Sequence, residues 1–163
     1  MTHLPLKPSS HDENPGYGDL GATMRFVLDT SVLMAAMLSP RGASQQWLRQ
    51  LPSSPAMPAL SVALYMEWQA VLMRPEHRPT GVTDAQMMGF LRYLASLSHL
   101  QDVHYLWRPF LRDPDDDMVL ECAAASGSRY IVTHNVRDFR RSPELGVDAI
   151  TPGSFLQILE SLS

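Results

Sequence analysis

From Phe26 to Leu38 the chain reads FVLDTSVLMAAML, an apolar run broken once by Asp-Thr-Ser and then resumed. A carboxylate is costly to bury without a partner, so Asp29 belongs at an edge where charge is tolerated or wanted. The residues from Val32 to Leu38 favour a helix. RFVLDT is therefore read as a strand that ends at the acid and passes directly into a helix. An aspartic protease also leads an apolar strand into Asp-Thr-Ser, but continues in strand or turn, which disfavours that chemistry. A receiver-type phosphoacceptor needs a lysine late in its sheet, and the only lysine here is Lys7.

The same alternation continues along the chain. PRGASQQWLRQL reads as a second helix and AMPAL as a short strand. Ser61 caps the helix VALYMEWQAVLMR, which stops before Pro75. PEHRPTG is a loop, and Thr83 with Gln86 forms a capping box for DAQMMGFLRYLASL. A strand is expected around VHYLW, then the acidic loop RDPDDD, then a helix from about Asp117 to Ser126 that Gly127 terminates. RYIVTHN is a buried strand, and VDAITPGSFLQIL gives a last strand and helix. Strands alternating with helices predict an α/β fold, a central parallel sheet flanked by helices.

At 163 residues, with 45% hydrophobic residues, the chain supports one core and hence one folded domain, expected over residues 24–163. Met1–Thr23 is rich in proline, glycine and polar residues and is expected to be a disordered tail; Met24, directly before the first strand, is an alternative start. A net charge of −4 disfavours nucleic-acid binding through overall positive charge, though it leaves room for local basic patches. Cys122 is the single cysteine, in an apolar helical pattern that reads as a packed thiol. No apolar run is long enough for a membrane span, and a soluble, cytoplasmic protein without a membrane partner is expected.

In such a fold the loops leaving the carboxyl ends of the strands share one edge. Asp29, Asp117 with Asp116 beside it, and Asp138 all belong to segments that reach that edge, and Glu67 interrupts an otherwise apolar helix. Each has a plainer explanation: Asp29 as a helix cap, DPDDD as a solvated loop with a cap, Glu67 snorkelling to water, THNVRDF as a polar turn. Gathered together, the carboxylates would repel one another unless a cation intervened. An oxygen-only ligand set selects hard ions such as Mg²⁺ or Mn²⁺, which are commonly partnered by phosphate oxygens.

The ordered motifs FVLDTSVL, LSVALYMEWQAVLMRP, DPDDDMVLECAAASGSRYIVT and THNVRDF resemble the PIN-domain nucleases, and specifically the small prokaryotic toxins of toxin–antitoxin pairs. The resemblance runs from about Met24 to Leu159 and implies a three-layer PIN-like fold. It implies a metal-dependent endoribonuclease in which Asp29, Glu67, Asp117 and Asp138 are catalytic. With Asp116 as a further ligand, they would surround one or two Mg²⁺ or Mn²⁺ ions, supported by Thr30, Thr133 and Asn135. Water would attack the phosphate of an RNA substrate in line, leaving a 5′-phosphate and a 3′-hydroxyl. The resemblance also implies a homodimer and a small antitoxin partner.

Several choices stay open in the sequence. Many relatives have an Asp where Asn135 stands, which throws more of the fourth acidic position onto Asp138. Asp116 and Asp117 differ by one residue in register. Glu121 either faces the same cleft or pairs with Arg129. Arg108, Arg112, Arg137, Arg140 and Arg141 would give the acidic pocket a basic rim for RNA, or are solvated charges paired with Asp113 and Glu144. Trp47, Trp68 and Trp107 are candidates for base stacking, with core packing the plainer reading for Trp68. Two other functions fit the same motifs: an RNA- or protein-binding module that does not cleave, and an RNA-processing nuclease that is not a toxin.

Overall fold

The computed structural model describes residues 23–104 and 109–162. The first strand, β1 (Met24–Leu28), buries Phe26, Val27 and Leu28 completely, as a central strand covered on both faces must. Next come α1 (Thr30–Leu38), α2 (Ala43–Gln50), β2 (Ala56–Leu60), α3 (Val62–Leu72) and α4 (Asp84–Ser96). After β3 (His99–Leu100) follow α5 (Pro114–Ser126), β4 (Tyr130–Val132), β5 (Asp148–Ile150) and α6 (Pro152–Ser161). The strands form one five-stranded sheet in the order β3-β2-β1-β4-β5, parallel at every pairing. This is the three-layer α/β arrangement that the alternating pattern predicts.

The expected helix boundaries rest on local chemistry that is present. Ser61 Oγ accepts from Leu64 N at 3.2 Å, and Thr83 and Gln86 complete a reciprocal capping box. Gly127 ends α5 in the left-handed conformation, φ 66°. α5 begins three residues earlier than the expected Asp117, because Asp113 caps it through Asp115 N at 2.9 Å and Pro114 occupies its first position.

The third strand also differs from expectation. It is His99–Leu100, ahead of VHYLW. β3 pairs with Ala59 and Leu60, and Gln101 N donates to Leu60 O at 2.8 Å; beyond Leu60 the neighbouring chain turns into α3, and Asp102 to His104 join no strand. Tyr105 to Arg108 lie outside the described residues, as do residues 1–22 of the expected tail. Among the described residues, no helix is long and apolar enough to cross a membrane.

The aromatic centre of the core joins the sheet to two helices. Phe26 of β1 lies 4.6 Å, centroid to centroid, from Phe155 of α6 and 5.9 Å, edge to face, from Trp47 of α2. Trp47 and Trp68 are both buried, so they serve packing rather than base stacking. α5 lies against β1, β2 and β4, which carries its acidic N-terminus towards the ends of those strands. Truncating Phe155, which is completely buried, is expected to cost about 3–5 kcal/mol. Urea denaturation of Phe155→Ala measures it; a loss below about 1 kcal/mol would contradict this packing.

Candidate active site

β1 is the point from which the chain winds first towards β3 and later towards β5, so the crevice between the ends of β1 and β4 is the topological switch point. Asp29 stands there. Its backbone N–H extends the ladder to Val132 O at 3.0 Å, and its Oδ2 accepts from Thr133 Oγ1 at 2.7 Å and Ser31 Oγ at 2.8 Å. Both bonds fall on one oxygen, so Oδ1 accepts none from the described residues. Thr133, fully buried at the end of β4, also accepts from Asn135 N at 2.9 Å. Thr30 is buried at the start of α1.

Three neighbours, Ser31, His134 and Ser44, escaped the sequence reading. Ser31 Oγ accepts from His134 N at 3.2 Å, and His134 Nε2 lies 3.1 Å from Ser44 Oγ on α2, so a chain of polar contacts ties α2 to Asp29. The Asp-x-Ser spacing is the signal for Ser31, since a hydroxyl two residues on reaches a carboxylate locally. Nothing local signals Ser44, which is distant in sequence.

The N-terminus of α5 supplies the next acids. Asp117 ties the loop before the helix to the start of α5. It is 2% exposed, its Oδ1 accepts from Leu111 N at 2.7 Å and its Oδ2 from Phe110 N at 3.3 Å. Each oxygen accepts one backbone N–H of the loop before the helix, so Asp117 anchors residues 110–111. Asp116 faces the other acids: burial first, then Asp29, Asp113, Asp138 and Asp115, pushes its carboxyl up to about 7. Glu67, partly buried on α3, is likewise raised, by burial and then by Asp115, with Arg74 opposing and Asp113 and Asp29 adding to the rise.

The structure thus brings Asp29, Glu67, Asp116 and Asp138, from four separate segments, within electrostatic reach along one edge. Glu121 is buried on another side of α5, lining a groove with Ser61, Gln101 and Met118, while Arg129 stands over the Tyr130 ring. The Cys122 thiol is buried and pushed up to about 11, chiefly by that burial, so it is a packed and unreactive group.

Among the described residues, no three acidic, histidine or cysteine side chains stand close enough to cage an ion. Asp116 is nonetheless crowded by carboxylates, and one Asp29 oxygen accepts no bond from the described residues. An open set of hard oxygen donors with uncompensated negative charge fits Mg²⁺ or Mn²⁺, which keep several waters and take few protein ligands. Beside Asp138, a groove of about 480 Å³ is lined by Phe110, Arg112, Arg137, Arg140 and Arg141; Arg108 and Trp107 lie outside the described residues.

The raised Asp116 carboxyl makes stability pH-dependent. Folded Asp116 keeps its proton to about 7, whereas unfolded it loses it near 3.8, so between these values the folded state binds more protons and stability falls as pH rises. The full displacement is equivalent to about 4 kcal/mol, and its partial contact with water screens this to about 1–2 kcal/mol. In EDTA, Asp116→Asn is therefore expected to gain that much over the parent protein at pH 7.5 and much less at pH 4.5. Urea denaturation at both values measures it; an equal difference at both would contradict the crowding.

The fold has known counterparts. A chain of the VapBC2 structure from Rickettsia felis, bound to promoter DNA, is similar with a TM-score of 0.55 at 16% identity, covering 78% of this chain and 98% of that one. For the DNA-bound VapBC of Salmonella typhimurium the values are 0.56, 16%, 79% and 98%. PAE2754 from Pyrobaculum aerophilum gives 0.57 at 16%, over 88% of this chain and 94% of that one. At such identity the likeness is one of fold. No curated protein matches the sequence. The sequence profile of the PIN domain matches residues 25–137, well over half of the chain, and the chain belongs to the PIN domain family.

Proposed function

We propose that this chain is a divalent-metal-dependent endoribonuclease, the toxin of a toxin–antitoxin pair. The observation that carries the reading is the convergence of Asp29, Glu67, Asp116 and Asp138 on the switch-point edge, where burial and carboxylate neighbours raise Glu67 and Asp116. Asp29 and Asp116 would hold Mg²⁺ or Mn²⁺ directly, one ion or two, with Glu67, Asp117 and Asp138 completing the acidic edge. When bound, such an ion would supply the positive charge that activates water at neutral pH and offsets charge on the phosphate. The protein's part is positional. Thr133 and Ser31 fix the Asp29 carboxylate through Oδ2 and leave Oδ1 for the ligand. Asp117 holds residues 110–111, and so the approach to the edge, in place. Asn135, whose N–H is engaged by Thr133, adds a neutral amide near the acids.

No side chain need become covalently attached to the substrate, and the products are a 5′-phosphate and a 3′-hydroxyl. The VapBC structures that share the fold support a small antitoxin as partner, and we extend the reading to a cytoplasmic homodimer. A PIN-fold module that binds RNA without cutting it is the second reading, favoured by the absence of a closed cage among the described residues.

Purified protein is expected to cut single-stranded RNA with Mg²⁺ or Mn²⁺ and to stop in EDTA. Asp29→Asn should slow cleavage by about 100-fold or more, since metal-borne charge stabilisation is worth several kcal/mol. Cleavage surviving both treatments would refute the metal mechanism, and metal-independent binding of uncut RNA would favour the second reading. Growth arrest on expression, relieved by the neighbouring reading frame, tests the toxin role.

A further inference from the structure

The groove beside Asp138 is unlike the acidic edge it adjoins. Arg112, Arg137 and Arg140 line it, and all three are exposed. Among the described residues none of them forms an ion pair, and the only side-chain bond of Arg140 is a long one, 3.4 Å to Arg137 O. Arg141 differs. It donates to Glu144 Oε2 at 2.8 Å and to Phe110 O at 2.7 Å, and its guanidinium lies 4.0 Å from the centre of the Phe110 ring. Its charge is neutralised and its fork is occupied, so it ties the 110–111 loop to the Ser142–Leu145 turn.

We propose that this groove binds the backbone of single-stranded nucleic acid beyond the phosphate held at the acids, with Arg112, Arg137 and Arg140 as phosphate ligands and Arg141 as a positioning residue only. The inference rests on the nuclease reading for what the strand is doing there. Groove and acidic edge adjoin: Phe110 and Leu111, which line the groove with Asp138, are held by Asp117 at the start of α5, and Asp138 follows closely on Thr133 and Asn135 at the end of β4. A polyanion laid along it meets cations at the acids when metal is bound and arginines thereafter. An acidic peptide also carries oxygens that suit arginines, and competition by polyglutamate separates it from a nucleic-acid backbone. Guanidinium forks suit phosphate oxygens better than ammonium groups do.

The test is fluorescence anisotropy of a labelled single-stranded RNA of about 12 nucleotides with the full chain in EDTA, titrated with salt. For single strands each lost phosphate contact reduces the slope of log K against log salt by about 0.7. Arg112→Ala/Arg137→Ala is expected to reduce it by about 1.4 and to weaken binding about tenfold or more at low salt. Arg141→Ala should leave the slope unchanged while lowering the melting temperature. An unchanged slope in the double variant, an equal slope change in Arg141→Ala, or displacement of RNA by polyglutamate of equal charge would each overturn the assignment. Binding in EDTA is read without cleavage, so the two claims fail separately. RNA that binds with the predicted slopes but is never cut defeats the nuclease alone, and RNA that is cut with unchanged slopes defeats the groove alone.

Discussion

The hydrogen bond from Thr133 Oγ1 to Asp29 Oδ2 joins residues 104 positions apart across the ends of β1 and β4. It closes the place where the winding of the sheet reverses, and the site is organised around it. The bond is buried, so it resists exchange with water, and a hydrogen bond to a charged acceptor contributes about 1.5–3 kcal/mol. Its second consequence is orientation: with Oδ2 held by Thr133 and Ser31, the carboxylate is fixed with Oδ1 accepting no bond from the described residues. Parallel strands bring this about without any special loop, because β1 and β4 are adjacent and end at the same edge.

Around that fixed carboxylate the molecule gathers charge of one sign. Folding half-buries Asp116 among Asp29, Asp113, Asp138 and Asp115, which pushes its carboxyl up to about 7. Such crowding opposes folding, and structural reasons alone do not call for it; Asp113 by itself is a sufficient cap for α5. Asp117, by contrast, spends its charge on two backbone donors and stabilises the loop. Two adjacent acids in one helical turn therefore do opposite things, one holding the scaffold and the other adding to the unbalanced field.

Local chemistry explains which features are legible in the sequence. The caps at Ser61 and Thr83, the stop at Gly127 and the fully apolar β1 are decided by neighbours within a few residues. So is the break at Asp29, and with it the alternating fold. The β3 position is set instead by where β2 ends, a non-local fact. The division of labour between Asp116 and Asp117 turns on where α5 starts, because each residue rotates by about 100° round a helix. Starting at Pro114 aims Asp117 at the loop and Asp116 at the acids. The strapping of Arg141 to Phe110 and Glu144, and the reach of Ser44 to His134, depend on tertiary contacts without any pattern in the chain.

The account stands on a cation joining carboxylates that would otherwise repel. The most direct measurement is a crystal structure of the protein soaked in Mn²⁺, read from the anomalous signal of the metal. The account predicts a peak bonded to Asp29 Oδ1 and to Asp116, with water filling the remaining positions. A well-ordered site with no such peak, or Mn²⁺ bound only at Asp117 or away from this edge, would contradict it.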